Sequence, residues 1–394
     1  MGGETSYMDA KNGQEIKTQN RNKVIRYVYA NGPVSRQDIG RALSLSLPTV
    51  FSNVNELISM GLLAEIGEYA STGGRKAKRI AIQPKFRYSV GIDLTKHHIR
   101  YLLFDLCGKN ISDINIRYDY SNTSEYYEYI GTRLKLFLED NEIEAWRVIG
   151  VGFSIPGIVD AEHGILIRSH ILGVSNVNLH HALRGIPFPF WMDNDANCAA
   201  YAEVEQNKKD TVYFSLSHSV GGANFVSGKM RFGDNLRAGE LGHIILHPNG
   251  KRCYCGKKGC FDAYCSVDAL LDQKDETLDQ FFQQLGFHDA DHVNRWDEYL
   301  ENLAIAVTNM RMAFDCDVVL GGYMGTYIGE YQEQLSRKAC KYDMFEQDTS
   351  YIRIGHYKQL SSAMGAAKMI VNRFFECQEE VGYRQHLEDL GQQN

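Results

Sequence analysis

The sequence predicts an α/β protein with two unlike parts: a small basic module of helices with one strand pair, and a larger acidic body. Residues Lys17 to Arg87 contain 12 Lys or Arg against 4 Asp or Glu, a local charge of +8. Since the 394-residue chain has a net charge of −7, the remainder carries −15. From Tyr88 onward, short apolar runs alternate with longer amphipathic runs, a pattern typical of alternating strands and helices.

The composition indicates an ordinary globular protein in a reducing compartment. Apolar residues make up 44% of the chain and charged residues 23%. No apolar run reaches the length of a membrane span, and the polar N-terminus is unlike a secretory signal, so we expect no membrane partner. Nine cysteines, an odd number, favour reduced thiols in the cytoplasm over a disulfide framework. We expect residues 1–16 to be disordered.

The basic segment opens with two helices whose ends the sequence marks. The first, NRNKVIRYVYANG, has apolar residues at helical spacing and ends at Gly32 and Pro33. The second begins at Ser35, which forms a capping-box-like pattern with Asp38 three residues later.

A third helix, from about Leu47 to Met60, is expected after a short turn. Ser46 is positioned to cap it, and Pro48 is tolerated in its first turn. Apolar residues at helical spacing form one face. The other face carries short polar side chains, which can reach base edges or phosphates.

Two strands, LLAEIGE and KRIAIQ, then flank YASTGGRKA, which has the composition of a wing with glycines at its bend. The order of elements predicts a winged helix-turn-helix over residues 17–87, with double-stranded DNA as its partner. Arginine at a flexible tip suits a narrow minor groove, and other basic side chains suit phosphates. A helical protein-interaction module with a solvated basic face is the alternative. The predicted DNA contacts are Ser35, Arg36, Ser46, Pro48, Thr49, Ser52, Asn53, Arg75, Lys76, Lys78 and Arg79.

The middle of the chain has a metal-ligand spacing, in AGELGHIILHPNGKRCYCGKKGC. One imidazole and three thiolates suit tetrahedral Zn²⁺, and four protein ligands close the coordination shell as a structural site requires. We predict that the ligands are His243, Cys253, Cys255 and Cys260. His247 and Cys265 lie close enough in sequence to be rival ligands. Unrelated residues in a surface loop are the alternative without a metal.

AGELGH followed by CYCGKKGCFD resembles the signature of the ROK family, which groups repressors, open reading frames and sugar kinases. The resemblance extends from about Asn20 to about Lys368, and it includes GPVSRQDIGRALSLSLPTV and STGGRK of the sugar-responsive repressors of the xylose and N-acetylglucosamine type. ROK kinases lack this DNA-binding half. The resemblance implies an actin-like, two-lobed sugar-kinase fold for residues 88–394. Its lobes would comprise approximately 88–195 with 365–385, and 196–364.

The resemblance also implies a sugar site. In MDNDANCAAYAE, Asn194 and Asp195 follow an apolar strand, at the end of a strand where α/β proteins bind ligands. The aspartate of ROK kinases that matches Asp195 is the general base for a sugar hydroxyl. Helix capping by Asp193 or Asn194 is the alternative. The sugar contacts implied are Asn194, Asp195, Glu240, His243 and Asp262.

Two of these residues have particular features. His243 would hold zinc through one ring nitrogen and reach the sugar, or a carboxylate, through the other. Asp262 stands where the family usually has glutamate, so its shorter side chain puts that contact in doubt.

Both phosphate loops of ROK kinases are altered in this chain. The first normally has an aspartate, a glycine pair and a threonine, but here Leu94 follows Asp93. The second is normally G-T-G-x-G, but here it is SHSVG, with His218 in place of the threonine. Because phosphoryl transfer requires backbone donors close around the phosphates, we predict no ATP cofactor, no catalytic residues and no kinase activity.

These observations favour a cytoplasmic, DNA-binding repressor of sugar-metabolism genes, in which a sugar or sugar phosphate favours one arrangement of the lobes. Two recognition helices must lie about 34 Å apart to contact two half-sites, so we expect a homodimer or homotetramer. One alternative is a sugar kinase with an added DNA-binding module. Another is a repressor controlled by a protein partner.

Overall fold

The computed structural model of the protein describes residues 3–68, 78–204, 209–271 and 275–376. The α-helices in these ranges are α1 (Gly3–Asn31), α2 (Arg36–Leu43), α3 (Leu47–Ser59), α4 (Ser124–Asp140), α5 (Leu179–Ala182), α6 (Asp195–Glu203), α7 (Asp262–Cys265), α8 (Val267–Leu271), α9 (Leu278–Gly286), α10 (Ala290–Phe314), α11 (Gly325–Ile328), α12 (Gln332–Ala339) and α13 (Ser361–Glu376). The strands are β1 (Leu63–Glu68), β2 (Lys78–Ile82), β3 (Tyr88–Leu94), β4 (His98–Asp105), β5 (Asn110–Arg117), β6 (Val148–Ile155), β7 (Ile158–Asp160), β8 (Ile165–Ser169), β9 (Val174–Asn178), β10 (Phe190–Asn194), β11 (Thr211–Leu216), β12 (Val220–Val226), β13 (Lys229–Met230), β14 (Asp317–Gly321) and β15 (Ile352–Ile354).

The first five elements form a winged helix-turn-helix. Helices α1, α2 and α3 bury a common apolar core, and β1 pairs with β2 in antiparallel fashion. The predicted caps are present: the Ser35 hydroxyl accepts the Asp38 N–H, and Asp38 Oδ2 accepts the Ser35 N–H, each at 3.1 Å. Ser46 Oγ accepts the Thr49 N–H at the start of α3. Local side-chain chemistry therefore sets both helix starts.

Helix α1 begins at Gly3, which differs from the disorder that we expected for residues 1–16. The segment from Gly3 to Asn31 contains no proline. Extending an existing helix by a residue adds a hydrogen bond without the cost of a new nucleus. Composition alone therefore underestimated how far the helix runs.

The first lobe of the body is built on the sheet β10-β6-β3-β4-β5, in which β6 runs parallel to β3 and β10. Helix α4 packs on one face of this sheet, and α13 packs on β3 and β6. A Cβ at Gly91 would lie 1.9 Å from the Ala363 carbonyl oxygen, and one at Gly152 would lie 2.0 Å from the Ala366 oxygen. Glycine is required at both positions because the helix backbone touches the strands.

The second lobe is built on the sheet β13-β12-β11-β14-β15. Helix α10 covers it, with a core that includes Trp296, Tyr299 and Leu303. Helix α6 contacts β11 and β12 and also packs against α13. A small antiparallel sheet, β7-β8-β9, follows β6. The two five-stranded sheets are thus joined by α6 and α13, and the segments flanking these helices form the cleft.

The DNA-binding domain packs directly on the end of α13. The Tyr29 ring of α1 stacks on Phe375 with ring centroids 4.2 Å apart, and its hydroxyl donates to Asn372 Oδ1 at 2.8 Å. Arg26 Nε donates to the Phe375 carbonyl at 2.9 Å. No helix in the described part of the chain is long and apolar enough to cross a membrane.

Candidate DNA-binding surface, metal centre and ligand cleft

The exposed face of α3 is mixed in chemistry. Ser46, Pro48 and Ser52 are exposed and Thr49 is half-buried, as the prediction of a DNA-facing surface requires. Leu47 and Phe51 are also exposed, by 46% and 48%. Such apolar groups contact thymine methyls in other protein–DNA complexes. The sequence reading overlooked both because it expected apolar residues of α3 to lie in the core.

Two of the predicted DNA contacts are structural instead. Asn53 is only 2% exposed, and its Nδ2 donates to the Thr49 carbonyl at 2.8 Å. Its assignment to the DNA face was wrong, because Asn53 shares the helical stripe of Val50, Val54 and Leu57. Ser35 is 6% exposed and is fully engaged in the cap of α2.

The basic side chains among the predicted DNA contacts are ion-paired, half-buried or outside the described residues. Arg36 donates to Glu65 Oε1 at 3.0 Å and to Asn55 Oδ1 at 3.1 Å, and it lies over the Phe51 ring. Lys78 pairs with the other oxygen of the same Glu65. Arg79 is half-buried. Arg75 and Lys76, at the tip of the predicted wing, lie outside the described residues.

The predicted metal ligands converge. The four ligand atoms of His243, Cys253, Cys255 and Cys260 all lie within 4.8 Å of one another. Cys253 Sγ is 3.7 Å from His243 Nδ1, and Cys255 Sγ is 3.7 Å from Cys260 Sγ. Tetrahedral Zn²⁺ with Zn–S bonds of about 2.3 Å requires sulfurs about 3.8 Å apart. The donor set and its spacing therefore fit a zinc ion.

Both rival ligands are engaged elsewhere. His247 Nε2 is 2.5 Å from Asn302 Oδ1, and the Cys265 thiol donates to the Tyr299 carbonyl across the core. Gly256 and Gly259 have positive φ angles of 91° and 83°, as the tight turn between the thiols requires. Neither rival therefore joins the cluster of the four predicted ligand atoms.

A cleft of about 580 Å³ opens between the two lobes. Asp93 and Asp195 lie on its floor, and burial raises the pKa of both carboxyls, that of Asp93 to about 6. Asp93 accepts a hydrogen bond from Ser154 Oγ at 2.6 Å. Ser362 Oγ, in the first turn of α13, donates to the Asp195 carbonyl. Both helices that join the lobes therefore reach this cavity.

The predicted sugar contacts do not all line the cleft. Of these, only Asp195 lines the large cavity, whereas Asn194 and Glu240 line a separate cavity of about 50 Å³. Asn194 Oδ1 caps α6 by accepting the N–H groups of Ala196 and Asn197, so the capping alternative describes this residue. Its Nδ2 donates to the Gly157 carbonyl.

His243 and Asp262 line neither cavity. His243 Nε2 faces away from the cysteines, 3.8 Å from Glu240 and 3.3 Å from the Tyr254 hydroxyl. Asp262 is 5% exposed, and its Oδ2 accepts the Val220 N–H at 2.7 Å. Asp262 therefore stabilises the backbone of β12, a role that differs from the sugar contact expected from the sequence.

Tyr254 is a cleft residue that the sequence analysis missed. It lies between the ligands Cys253 and Cys255 and lines the large cavity. Its position in the C-Y-C triplet was the available signal, since a side chain between two metal ligands has a fixed direction. The metal loop thus supplies one wall of the cleft.

Leu94 and His218 mark the two segments that the sequence analysis compared with the phosphate loops of ROK kinases. Leu94 is 1% exposed at the end of β3. His218, between β11 and β12, makes a 2.8 Å hydrogen bond through Nδ1 to Asp268, and its ring meets Tyr323 at 5.5 Å edge to face. The Asp268 carboxylate raises the pKa of His218. Leu94 is thus part of the core of the first lobe, and His218 is a paired side chain in the lining of the cleft.

Comparison with known proteins agrees with this architecture. The ROK family matches residues 89–373, and a winged helix-turn-helix DNA-binding family matches residues 17–64. The xylose repressor of Bacillus subtilis (strain 168) is 26% identical over 324 residues, which cover 79% of this chain and 84% of the repressor. The DNA-binding transcriptional dual regulator NagC of Escherichia coli (strain K12) is 26% identical over 273 residues, which cover 68% and 67%.

Solved structures show the same fold. A ROK family transcriptional regulator, a homologue of the E. coli Mlc protein, has a TM-score of 0.75 at 19% identity and covers 95% of this chain and 99% of its own. A ROK hexokinase from Thermus thermophilus has a TM-score of 0.61 at 24% identity and covers 74% and 100%. The predicted winged helix-turn-helix and two-lobed kinase-like body are confirmed. Since the family match spans most of its length, the chain belongs to the ROK family.

Proposed function

We propose that the protein is a sequence-specific DNA-binding repressor of sugar-metabolism genes, controlled by a sugar or sugar phosphate in the cleft. One observation carries the proposal: a winged helix-turn-helix is packed on α13, and the first turn of the same helix lines the cleft. A ligand that favours one lobe arrangement therefore acts on a helix that contacts α1. Relatives named xylose repressor and NagC support this function.

The cleft offers sugar hydroxyls both acceptors and donors. Asp93 and Asp195 supply carboxylate oxygens, while His170 and Tyr254 line the same cavity. Glu240 lines the separate small cavity, and His243, whose Nε2 is 3.8 Å from the Glu240 carboxylate, lines neither cavity, so we assign the first sugar contacts to Asp93, Asp195, His170 and Tyr254. We expect the Asp195 carboxylate to accept a hydrogen bond from a sugar hydroxyl, without removing its proton for a phosphoryl transfer.

Zinc would act as an architectural ion. Held by His243, Cys253, Cys255 and Cys260, it would fix the loop that orients Tyr254 toward the cleft, with His243 Nε2 beside the Tyr254 hydroxyl. Zinc is a Lewis acid, but a site with four protein ligands has no open position for a substrate. We therefore assign it no part in chemistry.

A sugar kinase with an added DNA-binding module is the second candidate, because Asp195 keeps the place of the kinase base and ROK kinases share the fold. The sequence changes at Leu94 and His218 oppose it, since these positions lack the glycine and threonine that the ROK kinase loops have, and His218 is paired with Asp268 instead. Hydrolysis or transfer from ATP in the presence of a sugar panel tests this candidate directly.

The cytoplasm is the compartment that a DNA-binding regulator with free thiols requires. An operator with two half-sites requires two copies of α3 about 34 Å apart, so we propose a homodimer or homotetramer.

The deciding experiment is binding of zinc-loaded, full-length protein to fragments from its own gene neighbourhood, with and without sugars and sugar phosphates. We expect specific binding to one fragment that one sugar or sugar phosphate weakens at least tenfold. Specific binding that no sugar changes would favour control by a protein partner. Absence of specific binding together with ATP-dependent sugar phosphorylation would overturn the repressor and support the kinase.

A further inference from the structure

A second cavity, of about 510 Å³, lies beside the last two turns of α13. It shares no lining residue with the cleft, which contacts only the first turn of that helix. Its walls come from β7 and the turn after it, β10, α6, the β12–β13 hairpin with the loop after it, and α13. We call it the α13 pocket. Its volume falls within the range of about 300–1,000 Å³ typical of small-molecule sites.

A nearly buried carboxylate lines the α13 pocket with one oxygen unused. Asp193 is 3% exposed, and its Oδ1 accepts the Asn194 N–H at 2.7 Å and Asn197 Nδ2 at 2.8 Å. In the described part of the chain, Oδ2 has no hydrogen-bond donor and no ion-pair partner. Leaving one oxygen of a nearly buried carboxylate without a donor is unfavourable. A ligand with an O–H or N–H group at this place would remove that cost.

The rest of the wall combines aromatic faces with polar groups. The Arg373 guanidinium lies 3.6 Å above the centre of the Trp191 ring, and Tyr201 meets Phe225 edge to face. Asn372 adds a side-chain amide. Flat apolar faces beside a few hydrogen-bonding groups suit a small ring with apolar faces and a polar edge.

The charge of the lining selects among such rings. Four carboxylates line the pocket, against the two cations Lys229 and Arg373; the carboxylates are Asp160, Glu162, Asp193 and Glu376. An excess of negative charge disfavours a phosphorylated ligand and favours a neutral or cationic one. From this arrangement we infer that the α13 pocket is a second ligand site, which binds an unphosphorylated monosaccharide or amino sugar through Asp193.

The pocket lies against the junction with the DNA-binding domain. Asn372 lines the pocket and also accepts the Tyr29 hydroxyl of α1 at 2.8 Å. A ligand O–H or N–H that donates to Asn372 Oδ1 competes with the Tyr29 hydroxyl for this oxygen and loosens the contact between α13 and α1. This regulatory consequence rests on the proposed function, whereas the existence of the site does not.

The test is calorimetric titration of full-length, zinc-loaded protein with D-glucosamine, D-glucose, D-xylose and glucose 6-phosphate. Asp193→Asn tests the pocket and Asp195→Asn tests the cleft. The matched control is Asp234→Asn, which removes an exposed carboxylate from the neighbouring loop outside the lining. We expect at least one unphosphorylated sugar to show a binding event whose affinity falls at least tenfold in Asp193→Asn. The affinity of the same event should stay within twofold of the wild-type value in Asp195→Asn and in Asp234→Asn.

Any of three results would overturn the inference. The first is that Asp195→Asn abolishes every binding event, the second is that Asp193→Asn and Asp234→Asn bind the sugar with equal affinity, and the third is that no unphosphorylated sugar binds. Hydrogen exchange of the wild-type protein supplies a readout that does not depend on a variant. The binding sugar should protect backbone amides in 229–232 and 369–373, and protection confined to 94–98 and 217–219 would contradict the second site. Neither readout involves DNA, so failure of operator binding would overturn the repressor without affecting this result.

Discussion

The ion-paired carboxylates of the DNA-binding domain differ from the carboxylates buried at the cavities of the body. In the first, Glu56 pairs with Lys17 and Arg21, and Glu65 pairs with Lys78 and Arg36, so hydrogen bonds from these cations lower the pKa of both carboxyls. In the body, burial raises the pKa of Asp93 and of Asp193 to about 6.

The contrast identifies where a ligand is needed. Glu56 and Glu65 are paired with the chain's own cations, so DNA must compete with these ion pairs for Lys17, Arg21, Arg36 and Lys78. Among the described residues, Asp93, Asp193 and the thiol cluster of the body have no such ion pair, and a bound cation, a proton or a donor-bearing ligand stabilises them. Three substitutions probe this difference, beginning with the largest expected effect.

Removing a metal ligand should disturb the body most. Cys260→Ser eliminates a buried thiolate of the predicted zinc site, so we expect bound zinc to fall from one per chain to nearly none. Because the loop orients Tyr254, sugar affinity in the cleft should fall about tenfold or more. Metal analysis after dialysis and calorimetry measure both effects. Cys107→Ser, at an exposed thiol, is the control, and equal zinc content in the two variants would contradict the ligand assignment.

Neutralising a buried carboxylate should stabilise the body at neutral pH. Native Asp193 keeps its proton up to about pH 6, whereas the ordinary aspartate value is 3.8. The native state therefore binds more protons between these values, and the free energy of unfolding falls as pH rises through this window. We expect Asp193→Asn to raise the free energy of unfolding by about 1–3 kcal/mol at pH 7.5. The increase should become progressively smaller as pH falls toward 4.

Urea denaturation followed by tryptophan fluorescence measures the free energy of unfolding of the body, since Trp146, Trp191 and Trp296 all lie there. Asp234→Asn serves again as the exposed control. A gain in stability that does not diminish on acidification would show that burial of charge at Asp193 is not its cause.

Releasing the paired cations of the DNA-binding domain should have the smallest effect. Glu65→Gln frees Arg36 and Lys78 for phosphates, so we expect operator affinity to rise about 3–10-fold at low salt and the dependence on salt concentration to steepen. Fluorescence anisotropy over a salt series measures both. Glu333→Gln, on the exposed surface of α12, should change neither quantity. Weaker binding by Glu65→Gln would mean that Glu65 positions Arg36 for DNA.

Features that depend on neighbouring residues were predictable. The caps at Ser35 and Ser46 and the convergence of His243, Cys253, Cys255 and Cys260 follow from short sequence intervals, since a few bonds limit how far apart these groups can be. Asn53 was misassigned although its helical phase was readable. The phase places it with Val50 and Leu57, and its polarity was given too much weight.

Features that join distant segments required the tertiary structure. The α13 pocket brings Asp193 of β10 to Asn372 of α13, and the cleft brings Asp93 to Asp195; no periodicity specifies those approaches. The sequence by itself determined the two-part organisation, the starts of α2 and α3 and the convergence of one histidine with three cysteines, because local geometry and composition govern them. Only the packing of α6 and α13 between the lobes decided which carboxylates are buried, which face a cavity and which contact the DNA-binding domain, because burial depends on residues far away in the chain.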